Sequence, residues 1–187
     1  MPEETKTALV NSFRRLLLTR PFDKIKVSDV TSDCGLSRQA FYYHFDDVFD
    51  VVRWVYLSHA ADVRDPPRPE TLEEGALAVL SRTVLEKAIV RGAYDSRYRQ
   101  RLNEYYLEEG VRFVDRVVSD RSAGTIERGD REFLVRAYSY AFAGTIMRWI
   151  GDGMREDPLV LCRRIGTLVD AGFDRALTAF GRSGTSA

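Results

Sequence analysis

The stretch Ser28 to Phe45, SDVTSDCGLSRQAFYYHF, decides how this chain is read. Ser28 is a residue type that caps helix N-termini, and Val30 begins a brief apolar pattern that Gly35 stops, so a helix of about two turns is expected there. Ser37 is placed to cap a second short helix, with Leu36 before it where a hydrophobic staple would pack on Phe41. Two short helices joined by a tight turn make a helix-turn-helix. Advancing about 100° per residue, Phe41 and Phe45 share one face of the second helix, Gln39 and Tyr43 lie opposite with Ala40 beside them, and Tyr42 and His44 fall on the flanks. An aromatic stripe on a helix is usually plain core. Here the two faces differ in chemistry, which favours an anchored helix with an outward reading surface.

That surface suits double-stranded DNA. In a major groove Arg38 has the donor geometry for guanine O6 and N7, Gln39 for adenine N6 and N7, and the Ala40 methyl for thymine. Tyr43 shares the base-facing side, and Tyr42 and His44 are set to donate hydrogen bonds to the phosphate walls. Ser28 and Ser37, as expected caps of the two helices, complete the candidate DNA-contacting set.

Upstream, Leu9, Val10, Phe13, Leu16 and Leu17 have the spacing of one helical face, and Pro21 ends that run. Phe22, Ile25 and Val27 form a short connector. Downstream, Val48, Phe49, Val51, Val52, Trp54, Val55 and Leu57 describe a long helix buried on more than one side and reaching about Val63. The cluster Asp65, Pro66, Pro67, Arg68, Pro69 cannot continue a helix, because proline lacks the N–H and clashes with the preceding turn. Helical patterns resume at Leu72, Ala76, Val79, Leu80 and Val84, and again around Tyr98, Leu102, Tyr105, Tyr106, Phe113 and Val117, with a break expected at Gly92 to Ser96. Asp120 to Asp130 reads as a polar, glycine-containing loop. Two long helices follow, one from about Arg131 to Met154 and apolar on two sides, the other opened by Asp157 and Pro158 and carrying Cys162, Ile165, Val169, Phe173, Ala176 and Phe180. No fixed-period repeat and no strand alternation is found. The expected fold is all-α with about nine helices: a helix-turn-helix DNA-binding domain over 1–47, a helical ligand-binding and dimerisation domain over 48–181, and a flexible tail over 182–187.

Composition excludes several classes. Lys plus Arg equals Asp plus Glu at 28 each, so no global positive field marks a nucleic-acid binder and any DNA affinity must be local. No apolar stretch is long enough for a membrane span, and the acidic start Met1, Pro2, Glu3, Glu4 is unlike a signal peptide, which places the protein in the cytoplasm with no membrane partner. The two cysteines, Cys34 and Cys162, are too few and too far apart for a disulfide framework or a metal site, and are expected to be buried and inert; no metal and no cofactor is expected. His44 has no nucleophile placed by spacing and the other histidine, His59, lies well along the next helix; Glu73 with Glu74 and Glu108 with Glu109 point in different directions as helix neighbours. An enzyme is not expected.

In the body, Tyr94, Tyr98, Arg101, Tyr105, Tyr106, Arg112, Tyr138 and Arg148 are candidates to line a pocket, since aromatic walls with a few polar groups suit a small ligand. Ordinary packing is the commoner fate of each one taken singly.

The run Gly35, Leu36, Ser37, Arg38, Gln39, Ala40, Phe41, Tyr42, Tyr43, His44, Phe45 resembles the signature around the recognition helix of the tetracycline-repressor family, and the likeness extends upstream through Leu16, Leu17, Phe22, Ile25, Val27 and Val30. Tyr140, Gly144, Trp149, Gly153 and Pro158, taken with Phe41 to Phe45, are similar to regulators of the dihydroxyacetone-kinase type. The resemblance implies a ligand-responsive transcriptional regulator, a repressor by default with activation as the alternative, that binds a pseudo-palindromic operator as a homodimer. It implies a dimer interface in which the last two helices pack on their copies, with Ala137, Ala141 and Gly144 permitting close approach and Ile165, Val169, Phe173 and Ala176 beside them. The effector implied is an unidentified small molecule or a protein co-regulator. One departure stands out. The family usually places a lysine at the start of its fourth helix to meet a phosphate, where this chain has Asp46, Asp47, Val48. The expectation is modest DNA affinity with strong salt dependence unless Lys24, Lys26 and Arg53 compensate. The rival reading is a regulator with weak DNA binding that works mainly through a protein co-regulator.

Overall fold

A computed structural model describes residues 2–61, 71–122 and 126–183, with side chains placed for all of these except 2, 56–61, 168–171, 182 and 183. Nine α-helices and one 3₁₀ turn make up the described residues, with no strand among them. The expected proline linker at 65–69, the centre of the polar loop at 123–125, the end of the tail and the Val169 and His59 side chains lie outside the described residues. By compactness the chain divides into two units, Met1–Pro66 with Leu85–Leu102, and Pro67–Val84 with Asn103–Ala187.

The first unit is built on α1 (Pro2–Leu17), whose Leu9, Val10, Phe13 and Leu16 are buried at the spacing of one helical face. A 3₁₀ turn at Phe22–Lys24 follows Pro21, and its Phe22 ring meets Phe13 edge-on at 5.1 Å. Helix α2 (Val27–Asp33) starts two residues earlier than the serine cap implied. Lys26 is its N-cap, and the Asp29 carboxylate accepts the Lys26 backbone N–H at 2.9 Å. Ser28 therefore sits inside the first turn, half-buried, and caps nothing. The correction is physical: an acidic residue reaching back from the third helical position satisfies the chain entry as well as a serine side chain reaching forward.

Gly35 ends α2 as expected, with φ +70°. Leu36 N–H donates to the Thr31 carbonyl at 2.9 Å and Gly35 N–H to Ser32 at 3.4 Å, the paired bonds of a Schellman ending, which needs a left-handed residue at Gly35's position. Helix α3 (Arg38–His44) and α4 (Val48–Ala61) follow. Buried Ser12 of α1 donates its hydroxyl to the Val30 carbonyl at 2.8 Å, and Arg15 of α1 donates to the Asp33 carboxylate at 2.5 Å, so both of these polar contacts between α1 and α2 are satisfied. Val48, Phe49, Val51, Val52 and Val55 are all buried, in line with a helix covered on more than one side.

A separate helix, α6 (Lys87–Tyr94), lies in this unit and was not expected. An additional break at Glu86 isolates it from α5 (Leu72–Leu85), and the break expected over Gly92 to Ser96 falls at the end of α6, where the chain leaves the helix at Asp95 with Gly92 still helical. Ile89, Val90 and Ala93 are buried, and Arg14 of α1 is ion-paired with the buried Glu86 carboxylate.

In the second unit α5 crosses α7 (Arg99–Ser122) where Gly75 leaves room for the Phe113 ring; a methyl group there would lie 2.2 Å from its Cζ. Thr83 and Tyr106 share a buried hydrogen bond at 3.0 Å. Helix α8 (Arg128–Gly151) starts before the expected Arg131, so Gly129 and Asp130 are helical and the loop is shorter than its composition implied. It stops at Gly153 and Met154, both with positive φ, where Met154 N–H donates to the Trp149 carbonyl at 2.9 Å. Helix α9 (Pro158–Ser183) is capped by Asp157, whose Oδ1 accepts the Leu159 N–H at 2.8 Å, and it runs past the expected start of the tail. Arg131 donates to Asp115 at 2.8 Å and ties α8 to α7, and Arg121 donates to Asp174 at 2.8 Å and ties α7 to α9. Cys162 is buried, its Sγ against the Glu73 carbonyl, while Cys34 is only half-buried.

Candidate nucleic-acid interface

The local sequence builds α3 from both ends. Ser37 Oγ accepts the Ala40 N–H at 3.0 Å, as its cap assignment required, and Phe45 leaves the helix in an extended conformation. Phe41 and Phe45 are both buried with ring centroids 5.6 Å apart, and Phe45 meets Trp54 of α4 edge-on at 6.3 Å. These rings fix the rotation of α3 about its own axis. With the inner face so anchored, Arg38, Gln39, Tyr42 and Tyr43 are exposed and Ala40 and His44 are half-buried.

Tyr43 is 81% exposed and Tyr42 58%. The two rings put aromatic surface and two hydroxyls side by side on the exposed side of α3. His44 stacks edge-on to Tyr43 at 4.9 Å, which braces the outward ring. Lys24 and Lys26 are exposed and enter no ion pair among the described residues, whereas Arg53 lies 3.8 Å from Asp50.

The acidic start of α4 is arranged differently from the sequence expectation of two free carboxylates. Asp47 Oδ1 accepts the Asp50 N–H at 3.0 Å and caps α4, and its Oδ2 is ion-paired with Arg101 at the start of α7. Asp50 in turn accepts the Asp46 N–H at 3.0 Å. The Arg101 guanidinium also lies 4.4 Å from the Phe49 ring centroid, and Tyr98 stacks on that ring at 5.6 Å. The cation that this chain lacks at the start of α4 is thus brought to Asp47 from α7. Asp46 remains exposed.

The candidate body residues do not converge. Tyr98 and Arg101 are engaged with Phe49 and Asp47; Tyr94 stacks with Arg99 at 4.0 Å; Tyr106 is fully buried on Thr83. Tyr105 is buried, which pushes its phenol above the ordinary range with the Glu109 carboxylate adding to the effect. Arg112 pairs with Glu109, and Arg148 with Asp152 at 2.8 Å. Tyr138 alone of the eight lines an apolar cavity of about 220 Å³ in the second unit, formed by Leu72, Phe113, Val114, Tyr138, Ala141, Phe142, Thr145, Leu161, Arg164 and Ile165. Its members come from four helices; Tyr138, Ala141, Phe142 and Thr145 share one face of α8, but periodicity within a helix does not say which face of α9 that face meets.

Of the residues expected at a dimer interface, Ala137, Ala141 and Gly144 lie exposed along α8, in line with Phe133 and Tyr140, and Ile165 and Ala176 are half-buried on α9. Phe173 is fully buried with Tyr138 edge-on at 4.9 Å, so it belongs to the core of its own chain and is not available to a partner.

The family described as a transcriptional regulator C-terminal region of the tetracycline-repressor type matches residues 70–171. The chain belongs to this tetracycline-repressor family of transcriptional regulators. The regulator also shares its fold with a solved structure, the dihydroxyacetone kinase operon activator DhaS, at a TM-score of 0.67 and 17% identity over 90% of this chain and 95% of that one. No curated protein matches the regulator in sequence. Among its described residues no helix is long and apolar enough to cross a membrane, and no group of three or more His, Cys, Asp or Glu side chains is placed to hold a metal ion.

Proposed function

We propose that this regulator binds a pseudo-palindromic DNA operator as a homodimer, with α3 of each copy in a major groove. The observation that carries the reading is the two-faced α3: Phe41 and Phe45 buried, Tyr43 and Tyr42 exposed, and Arg38 and Gln39 on the open side. Arg38, Gln39, Ala40 and Tyr43 read base edges; Tyr42, His44 and the serines Ser28 and Ser37 meet the backbone. A twofold dimer matches the symmetry of such an operator, and the exposed apolar line Phe133, Ala137, Tyr140 and Gly144 on α8 is the surface on which a second copy would pack.

Occupying an operator blocks transcription by simple exclusion, so repression is the default output, and an effector acting on residues 48–181 relieves it by changing the separation of the two α3 helices. The head of the regulator is read as 1–47, inside the first compact unit. The test is a selection of genomic fragments on the purified protein at two salt concentrations. Enrichment of one palindromic motif, weakening as salt rises, supports the reading; a folded dimer that enriches no motif at either salt overturns it and favours action through a protein co-regulator.

A further inference from the structure

The compact unit that holds the helix-turn-helix also holds Leu85–Leu102, which includes all of α6 and the entry to α7. From that segment the turn between α6 and α7 reaches the helix-turn-helix at two points, one on each side of it. The Tyr98 ring meets Phe22 edge-on at 4.9 Å, in the turn that leads into α2, and stacks on Phe49 in the first turn of α4 at 5.6 Å and 21°. Phe22 and Phe49 are both 2% exposed, so Tyr98 lies between two fixed rings.

Polar contacts from the same turn land on the same two points. The Arg97 N–H donates to the Asp23 carboxylate at 3.2 Å, beside Phe22, and Arg101 is ion-paired with Asp47, which caps α4 ahead of Phe49. Tyr98 is itself held in place: its N–H donates to Ser96 Oγ at 3.1 Å, its carbonyl accepts the Leu102 N–H at 2.9 Å, and its hydroxyl accepts from Arg97 at 3.0 Å. A ring that served packing alone would be buried; this one is half-buried, and the residues on either side of it grip the same two flanks.

These flanks carry the groups on either side of α3. Exposed Lys24 and Lys26 follow Phe22, and exposed Asp46 precedes the α4 cap. Contacts to the DNA backbone fix the register of a reading helix, and hydrogen bonds to base edges tolerate a displacement of only about 0.5 Å.

We propose that Tyr98 is a positioning residue for operator recognition: its ring sets the distance between the start of α2 and the start of α4, and the reading surface of α3 is complete only with this turn in place. The proposal rests on the reading of α3 as the operator-contacting helix. Tyr98 acts through Phe22 and Phe49, without touching DNA.

The test compares wild type, Tyr98→Phe and Tyr98→Leu in the full chain on the fragment most enriched by selection and on a scrambled duplex of equal length, with hydrogen exchange of the free proteins as a second readout. Tyr98→Phe keeps the ring and loses only the Arg97 bond; Tyr98→Leu stays apolar and cannot lie flat between two rings. The expected operator affinity is within about twofold of wild type for Tyr98→Phe and about tenfold or more weaker for Tyr98→Leu, with binding to the scrambled duplex changed by less than about twofold. In free Tyr98→Leu the Ile25, Asp50 and Arg97 amides, bonded to Phe22, Asp47 and Asp23, should exchange about fivefold faster or more, while those of α8 keep their rates. Gly75→Ala, a change in the second unit, controls for stability alone and should keep operator affinity. If Tyr98→Leu fails to fold, Tyr98→Met replaces it. Equal losses in Tyr98→Phe and Tyr98→Leu, equal losses on the two duplexes, a loss as large in Gly75→Ala, or unchanged operator affinity in folded Tyr98→Leu would each overturn the proposal. Exchange is measured without DNA, so unaltered exchange in Tyr98→Leu also overturns it. A wild type that selects no operator fails the operator reading, and altered exchange would then still show that Tyr98 holds the two flanks.

Discussion

Arg101, in the first turn of α7, is ion-paired with Asp47, the capping residue of α4, although 54 positions separate them in the chain. Both side chains are 40% exposed, so the pair contributes at most about 1 kcal/mol to folding. On the proposed DNA-binding reading its larger effect is on charge beside α3, where an unpaired Asp47 would repel phosphate. Arg101→Ala is therefore expected to lower operator affinity several-fold at moderate salt while shifting the thermal midpoint little. Asp47→Asn in the Arg101→Ala background should restore affinity, because asparagine keeps the cap and removes the charge. Fluorescence anisotropy on an operator fragment checks this, and an unrescued double variant would show that Arg101 acts through something other than the Asp47 charge.

Tyr43 faces solvent at the centre of the open side of α3. Tyr43→Ala should cost about 1–3 kcal/mol of operator binding, roughly fivefold to a hundredfold in affinity, with the midpoint and the sedimentation coefficient unchanged. Unaltered affinity would remove Tyr43 from the reading face.

Gly144 separates a free surface from a paired one. A methyl group built there meets no heavy atom within 4 Å in the single chain, so Gly144→Leu should fold with full helicity. In a dimer packed on α8 the same side chain would hold the two helices apart. Sedimentation should show a monomer, and operator affinity should fall with it; a stable Gly144→Leu dimer would place the interface elsewhere.

Gly75 has the opposite surroundings. The added methyl of Gly75→Ala would fall 2.2 Å from the Phe113 ring, so the ring must swing away, and the usual gain of about 1 kcal/mol for alanine over glycine in a helix is outweighed by overpacking of about 1–3 kcal/mol. Urea unfolding should show a net loss of stability. A net gain would mean that Phe113 relaxes without cost.

Much of this was legible in the chain because it is local. The Ser37 cap, the Gly35 stop and the shared face of Phe41 and Phe45 each depend on residues within a few positions of one another, and the structure has them as the spacing implied. The start of α2 was misplaced because Ser28 and Asp29 are both capping residue types, and only the geometry shows that Asp29 serves the Lys26 N–H. The break before α6 carries no glycine or proline, since Leu85, Glu86 and Lys87 all suit a helix, and so it left no mark in the composition. Contacts between distant positions were invisible: neither the Asp47–Arg101 pair nor the four-helix wall of the cavity follows from periodicity. Phe173 shares the apolar spacing of α9 with Ile165, and spacing alone does not say which of two apolar sides faces inward.

The central claim is that two copies of α3 read one operator. Hydroxyl-radical footprinting of the wild-type protein on the fragment most enriched by selection tests it most directly. The account predicts two protected segments related by a twofold axis, both lost in Tyr43→Ala at a concentration that saturates the wild type. A single protected segment, or two segments that persist in Tyr43→Ala, would contradict it.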